Sequence, residues 1–165
     1  MNTELLAILT VGTSASGKSS WAQSLVERFP QLRINILERD QLRQELYAEA
    51  NDTPFSWADW DSQFEEEVQS RWLQRLRQLL DADVLVLADT HLDPAQLIRE
   101  ARILADLGVR ELILQYFPAR PLVELIRYDQ NRSAPVGAAV LRQQIQRLQP
   151  EEVYWQALES VSNEK

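Results

Sequence analysis

Residues 12–20, GTSASGKSS, constrain this chain more than any other stretch. They follow directly on the apolar run Leu5–Val11 and lead into a segment with helical periodicity. Gly12, Gly17, Lys18 and Ser19 occupy the fixed positions of G-x-x-x-x-G-K-S/T, the phosphate-binding loop. Two of the four glycines in the chain lie here, where the loop needs them. Such a loop requires a strand before it and a helix after it, which commits the chain to an α/β arrangement.

The loop holds a phosphate chain with inward backbone N–H groups at the positive end of a helix dipole. Gly12 and Gly17 allow turns and close approaches that a Cβ would obstruct. Thr13, Ser14, Ala15, Ser16 and Ser20 complete the nucleotide-binding stretch around them. Lys18 supplies a mobile positive charge for the β and γ oxygens. Ser19 offers its hydroxyl to a Mg²⁺ ion, with Asp40 or Asp89 as further candidate ligands. The expected cofactors are therefore ATP and Mg²⁺.

At 165 residues the chain is expected to form one domain over 1–165, large enough to bury a core. With 45% hydrophobic and 25% charged residues it reads as soluble and globular. No run of apolar residues is long enough for a membrane span. The start, MNTELLAILTV, is too acidic and too short for a signal peptide, so it reads as the first strand. Without cysteine and with one histidine, His91, neither a disulfide framework nor a His-cluster zinc site is available. The expected location is the cytoplasm. A net charge of −8 argues against extended duplex binding and leaves room for a local basic groove.

Along the chain, strands alternate with helices, the signature of a parallel sheet. Strands are expected at Leu5–Val11, Leu32–Leu37, Val84–Ala88 and Glu111–Phe117. Helices are expected at Lys18–Phe29, Asp40–Glu49, Ser56–Leu80, Pro94–Leu107, Pro121–Asp129, Ala138–Leu148 and Glu151–Ser160. Ser56 serves as the expected N-cap of the long third helix, and Gly108 as the left-handed end of the fourth. Ligands of such sheets sit beyond the carboxyl ends of the strands. Lys18, Asp40 and Asp89 all lie there.

Asp40 and Arg43 are three apart on one helix face. An ionised Asp40 can accept the proton of an attacking hydroxyl, and the Arg43 fork can hold an acceptor phosphate. The alternative is a capping carboxylate with a surface ion pair. Asp89 ends an apolar strand and could serve the metal, hold the acceptor, orient Asp40 or merely cap a turn. Thr90 and His91 follow as acceptor-pocket wall. Residues 119–147 carry five arginines against Glu124 and Asp129 and read as a helical lid. Arg132, in its loop, is placed to reach the donor phosphates, whereas Arg142 and Arg147 read as solvated. Trp57, Trp60 and Phe64 recur at helical spacing, as a packing face or as a stacking platform for a base or sugar. Glu65–Glu67 read as solvated surface.

The segments GTSASGKSSWA, RDQLRQ, ADTHLDP and LIRYDQNR…VLR, in that order, resemble the kinase domain of phage-type polynucleotide 5′-hydroxyl kinases. The resemblance implies that Asp40 is the general base on a 5′-hydroxyl and that Arg43 holds the adjacent phosphate. It implies that Asp89 shapes the acceptor site and that Arg132 contacts the donor phosphates. Tyr128 stands where the family has a second lid arginine, with Arg127 beside it, and His91 where it usually has Asn. The DxDxT motif of an appended phosphatase is absent. The expected fold is the P-loop NTPase three-layer sandwich, with about four parallel strands in the order 2-3-1-4 and helices on both faces. The expected activity is ATP-dependent transfer of the γ-phosphoryl group to a polynucleotide 5′-hydroxyl. A small-molecule kinase acting on a sugar, nucleoside or antibiotic, and a non-catalytic ATP-binding switch, are the alternatives.

Overall fold

A computed structural model of the chain describes residues 4–164. Four strands, β1 (Leu6–Val11), β2 (Ile34–Leu37), β3 (Val84–Leu87) and β4 (Glu111–Tyr116), form one parallel sheet in the order β2-β3-β1-β4. The register sets Leu6 against Val84 and Glu111, and Ile34 against Val84. The expected strand order therefore holds.

Alternation along β1 explains the layers. Ala7, Leu9 and Val11 point to one face, where they join Leu85, Leu87, Leu114 and the helices α2 (Arg39–Ala50), α3 (Glu65–Gln78), α4 (Pro94–Asp106) and α7 (Glu151–Ser162) in the larger core. Ile8 and Val86 point to the other, against Ala22, Trp21 and Leu25 of α1 (Lys18–Arg28). Both faces are buried, as a parallel sheet demands. Helices α5 (Leu122–Gln130) and α6 (Ala138–Arg147) pack on each other beside the carboxyl ends of the strands.

The main departure lies before α3. The expected helix from Ser56 begins instead at Glu65. Residues 57–59 and 62–64 form two separate 3₁₀ turns, capped by the side chains of Ser56 and Asp61, with Trp60 extended between them. Two local caps thus compete successfully with helix propagation. The Glu65–Glu67 triplet then starts α3 where negative charge complements the helix dipole.

The Trp57–Trp60–Phe64 spacing is consequently not a helical stripe. Trp57 and Trp60 instead pack on Phe55, with centroids at 5.1 and 5.9 Å, Tyr47 packs on Phe55 at 5.4 Å, and Phe64 packs on Trp60 at 5.9 Å. Trp72, within α3, is fully buried in the main core. No helix among the described residues is long and apolar enough to cross a membrane.

Candidate active site

Beyond the carboxyl ends of β1, β2 and β3 lies a cleft of about 650 Å³. The loop after β1 forms its floor. Gly17 takes φ 96° as the residue preceding α1, a conformation that favours glycine. A Cβ on Gly12 would stand 2.7 Å from Phe117 Cβ and 2.9 Å from Ser16 Oγ. The loop is thus built around two missing side chains. Lys18 Nζ donates to the Thr13 carbonyl and, at 3.4 Å, to Ser16 Oγ. Burial lowers its pKa to about 8. None of the described carboxylates forms an ion pair with it, and this buried cation suits a phosphate chain.

Ser14, Ala15, Gly17, Lys18, Ser19 and Ser20 line the cleft, joined by Asp40, Arg43, Asp89, Thr90 and Arg132. Gly12, Thr13 and Ser16 support the loop from behind. His91 does not reach the cleft, contrary to its expected place in the acceptor wall. It is fully buried, with Nδ1 2.6 Å from the Thr10 carbonyl and Nε2 2.6 Å from Glu100. Its φ of 44° turns the chain in the left-handed region, where His and Asn are both enriched.

Behind the cleft Arg39, Asp89, His91 and Glu100 form a buried network. Arg39 Nη1 meets Asp89 at 2.6 Å and its Nη2 meets Glu100 at 2.7 Å, while the guanidinium lies 4.3 Å over Trp72. Burial lowers the affinity of His91 for its proton, but Glu100 outweighs this and raises its pKa. Burial likewise works against the Glu100 carboxylate, yet His91 and Arg39 bring its pKa down to about 2. Asp89, His91 and Glu100 offer ligand atoms within 4.8 Å of one another, but the two carboxylates already pair with the Arg39 guanidinium and His91 is bonded to Glu100.

Asp89 has a further task. Its Oδ1 accepts the Arg39 backbone N–H at 2.8 Å, at the start of α2, whose own N-cap Glu38 makes no side-chain cap. Asp89 thus caps α2 from the end of β3 and fixes the direction in which Asp40 emerges. Both Asp89 oxygens are occupied by Arg39.

On the opposite wall, Arg43 Nη1 donates to Asp40 at 2.7 Å. Its Nε and Nη2 engage both oxygens of Glu65, at 2.9 and 3.0 Å. Glu65 does not line the cleft and its side chain is 41% exposed, but it is tied to the Arg43 that does. Arg132 Nη2 lies 3.9 Å from the second Asp40 oxygen. Asp129 organises the loop that carries Arg132, accepting the backbone N–H groups of Val136 and Gly137 at 3.0 and 2.9 Å. From α6, Gln144 accepts the Ser14 N–H at 2.7 Å and donates to Ser14 Oγ at 3.1 Å, joining the helical pair to the phosphate loop.

Sequence reasoning missed Glu38, Gln44 and Gln96, which also line the cleft. Glu38 bonds the Ser19 side chain, and burial raises its carboxyl pKa. Its signal was its position between β2 and Asp40. Gln44 and Gln96 carried none.

Residues 8–151 match the AAA_33 family model, described as an AAA domain. The chain belongs to that family. No curated protein matches in sequence. Solved structures match over nearly the full chain. A gluconokinase from Sinorhizobium meliloti 1021 is 17% identical with a TM-score of 0.51, over 96% of this chain and 92% of that one. A tunicamycin resistance protein from Deinococcus radiodurans is 18% identical with a TM-score of 0.57, over 99% and 95%. Shikimate kinase from Acinetobacter baumannii, in complex with shikimate, is 15% identical with a TM-score of 0.56, over 98% and 91%. At these identities the likeness establishes the fold, that of the P-loop kinases.

Proposed function

We propose that this protein is an ATP- and Mg²⁺-dependent kinase that transfers the γ-phosphoryl group to a hydroxyl of a small, uncharged molecule. The observation that carries the reaction class is Asp40. Its carboxylate stands between Arg43 and Arg132 on the wall facing the phosphate loop. In this reading Gly12–Ser20 bind ATP, and Lys18 neutralises the β and γ oxygens. Asp40 receives the proton as the hydroxyl attacks phosphorus and the bond to the ADP oxygen breaks. Arg132 moves from Asp40 to the transferring group, with residues 119–147 as the lid. Ser19 would hold Mg²⁺, with Glu38 at its hydroxyl, and the ion would neutralise charge on the phosphates. Asp89 serves as the clamp of α2, and Thr90 faces the acceptor.

The acceptor class follows from the wall. Arg43 is already engaged by two carboxylates, and the remaining lining includes the amides Gln44 and Gln96. Such groups suit hydroxyl recognition. The names of two structural neighbours, a gluconokinase and a shikimate kinase, support a small hydroxyl-bearing acceptor. A second reading, transfer to the 5′-hydroxyl end of a polynucleotide, is favoured by the RDQLRQ segment, which sets the Arg43 fork beside Asp40.

The test offers γ-labelled ATP with sugars, nucleosides, aminoglycosides and 5′-hydroxyl DNA and RNA oligonucleotides, for the native chain and Asp40→Asn. The native chain should label a neutral small molecule. The variant should lose about 10²–10⁴-fold in kcat while still binding ATP. Full turnover by the variant would remove Asp40 as the base. Labelling of oligonucleotides alone would install the second reading, and no labelling with ATP bound would point to an ATP-binding switch.

A further inference from the structure

We propose that Glu65 sets the acceptor class of this site, admitting an uncharged hydroxyl compound and turning away acceptors that carry a phosphate beside the reacting hydroxyl. The inference rests on the kinase reading above and assigns its selectivity to one side chain.

The geometry is specific. A guanidinium has five N–H donors, and its two-pronged edge is what grips a phosphate. In Arg43 the Nε–Nη2 edge is closed by both Glu65 oxygens, at 2.9 and 3.0 Å, and Nη1 is directed to Asp40 at 2.7 Å. Trp60 Nε1 donates to Glu65 Oε1 at 2.8 Å, so the carboxylate is held from its other side. The two capped 3₁₀ turns before α3 fix where Glu65 emerges. Arg43 itself is held at 18% side-chain exposure, with Trp57 5.7 Å from its guanidinium.

A phosphate seeking the Nε–Nη2 edge of Arg43 would have to displace Glu65, and one approaching the Nη1–Nη2 edge would still lie close to the Asp40 and Glu65 carboxylates. Each like-charge contact works against binding. An uncharged acceptor leaves the Arg43–Glu65 pair intact. The same pair explains how a chain with the RDQLRQ segment can act on a neutral substrate: the arginine is present, but its charge is spent on Glu65.

The test measures binding and does not depend on turnover. Uridine 3′-monophosphate, which carries a 5′-hydroxyl and a neighbouring phosphate, is titrated calorimetrically with a non-hydrolysable ATP analogue and Mg²⁺ present. The native chain, Glu65→Gln and the double variant Glu65→Gln/Arg43→Gln are compared. Glu65→Gln keeps an oxygen for Trp60 and removes the charge. It should bind the nucleotide roughly tenfold more tightly or better than the native chain, and the double variant should lose that gain. A gain below about twofold, native binding as tight as the variant's, or a gain that survives in the double variant would each overturn the proposal. Glu65→Ser serves as a second variant should Glu65→Gln fold poorly, with the same expectations. Failure of the kinase reading shows separately, as absence of labelling across the acceptor panel with this binding pattern unchanged.

Discussion

Replacing Glu100 by Gln tests the charged network behind the cleft. Glu100 accepts from His91 Nε2 at 2.6 Å and from Gln96 at 3.0 Å, and pairs with Arg39 at 2.7 Å. Its side chain is 3% exposed. A carboxyl held at about 2 instead of 4.5 contributes about 3 kcal/mol to the folded state at neutral pH. Removing this charge also breaks the buried pair with Arg39, so the loss should be about 3–5 kcal/mol. For a chain of this length that lowers Tm by about 6–20 °C.

The pH profile is more diagnostic than the size. In the native chain the depressed Glu100 contributes stability that is present above 4.5 and lost as pH falls toward 2. The raised His91 contributes stability present below 6.5 and lost as pH rises through its folded pKa. These two groups therefore leave native stability flat between about pH 4.5 and 6.5. In the Gln variant the acid limb is gone. Burial now dominates at His91 and favours the neutral ring, so stability should decline as pH drops from 7 to 5. Urea unfolding followed by tryptophan fluorescence across this range reads both effects. A variant within about 1 kcal/mol of the native chain, with the same flat profile, would refute the charge assignment.

Two further perturbations address the loop. Because burial lowers Lys18 to about 8 and bound phosphates favour its charged form, affinity for a non-hydrolysable ATP analogue should hold below pH 8 and fall between pH 8 and 10. Calorimetry in two buffers should also show proton uptake on binding in that interval, and constant affinity up to pH 10 would contradict it. Gly12→Ala places a Cβ 2.7 Å from Phe117 Cβ and 2.9 Å from Ser16 Oγ, contacts that only a shift of the loop can relieve. It should cost about 1–3 kcal/mol in thermal unfolding and weaken nucleotide binding, and an unchanged Tm would show that the loop is not close-packed there.

The strands and the phosphate loop were legible because each has a short-range cause, whereas the strand order came with the family resemblance. The apolar run of β3 can only be a sheet interior, and the glycine spacing around Lys18 can only be a turn that closes on an anion. What was not legible depends on partners distant in sequence. Glu65 and Arg43 are 22 positions apart, and Trp60 joins them only because two 3₁₀ turns interrupt the expected helix. A run of three glutamates reads as solvated surface until the fold brings an arginine to the first of them. His91 misled for the same reason: its neighbour Asp89 faces the cleft, but a left-handed turn at His91 sends the imidazole back to Glu100.

The distribution of charge around the cleft ties these pieces together. Arg39 is balanced by Asp89 and Glu100, and Arg43 by Asp40 and Glu65. Arg132 leans on Asp129 and Asp40. Lys18 alone among these cations has a buried charge facing the cleft with no carboxylate in contact. A polyanion entering the cleft therefore gains most at the phosphate loop and least at Arg43, where it must break an existing pair. That asymmetry is what supports the proposal of a triphosphate at the loop end and a neutral acceptor at the Arg43 end. It also makes Arg132 the one arginine free to change partners, since its 3.9 Å approach to Asp40 is the loosest of these contacts. In the proposed reaction Arg132 would leave Asp40 for the γ-phosphoryl group, and Asp40 would keep Arg43 as its one close cation.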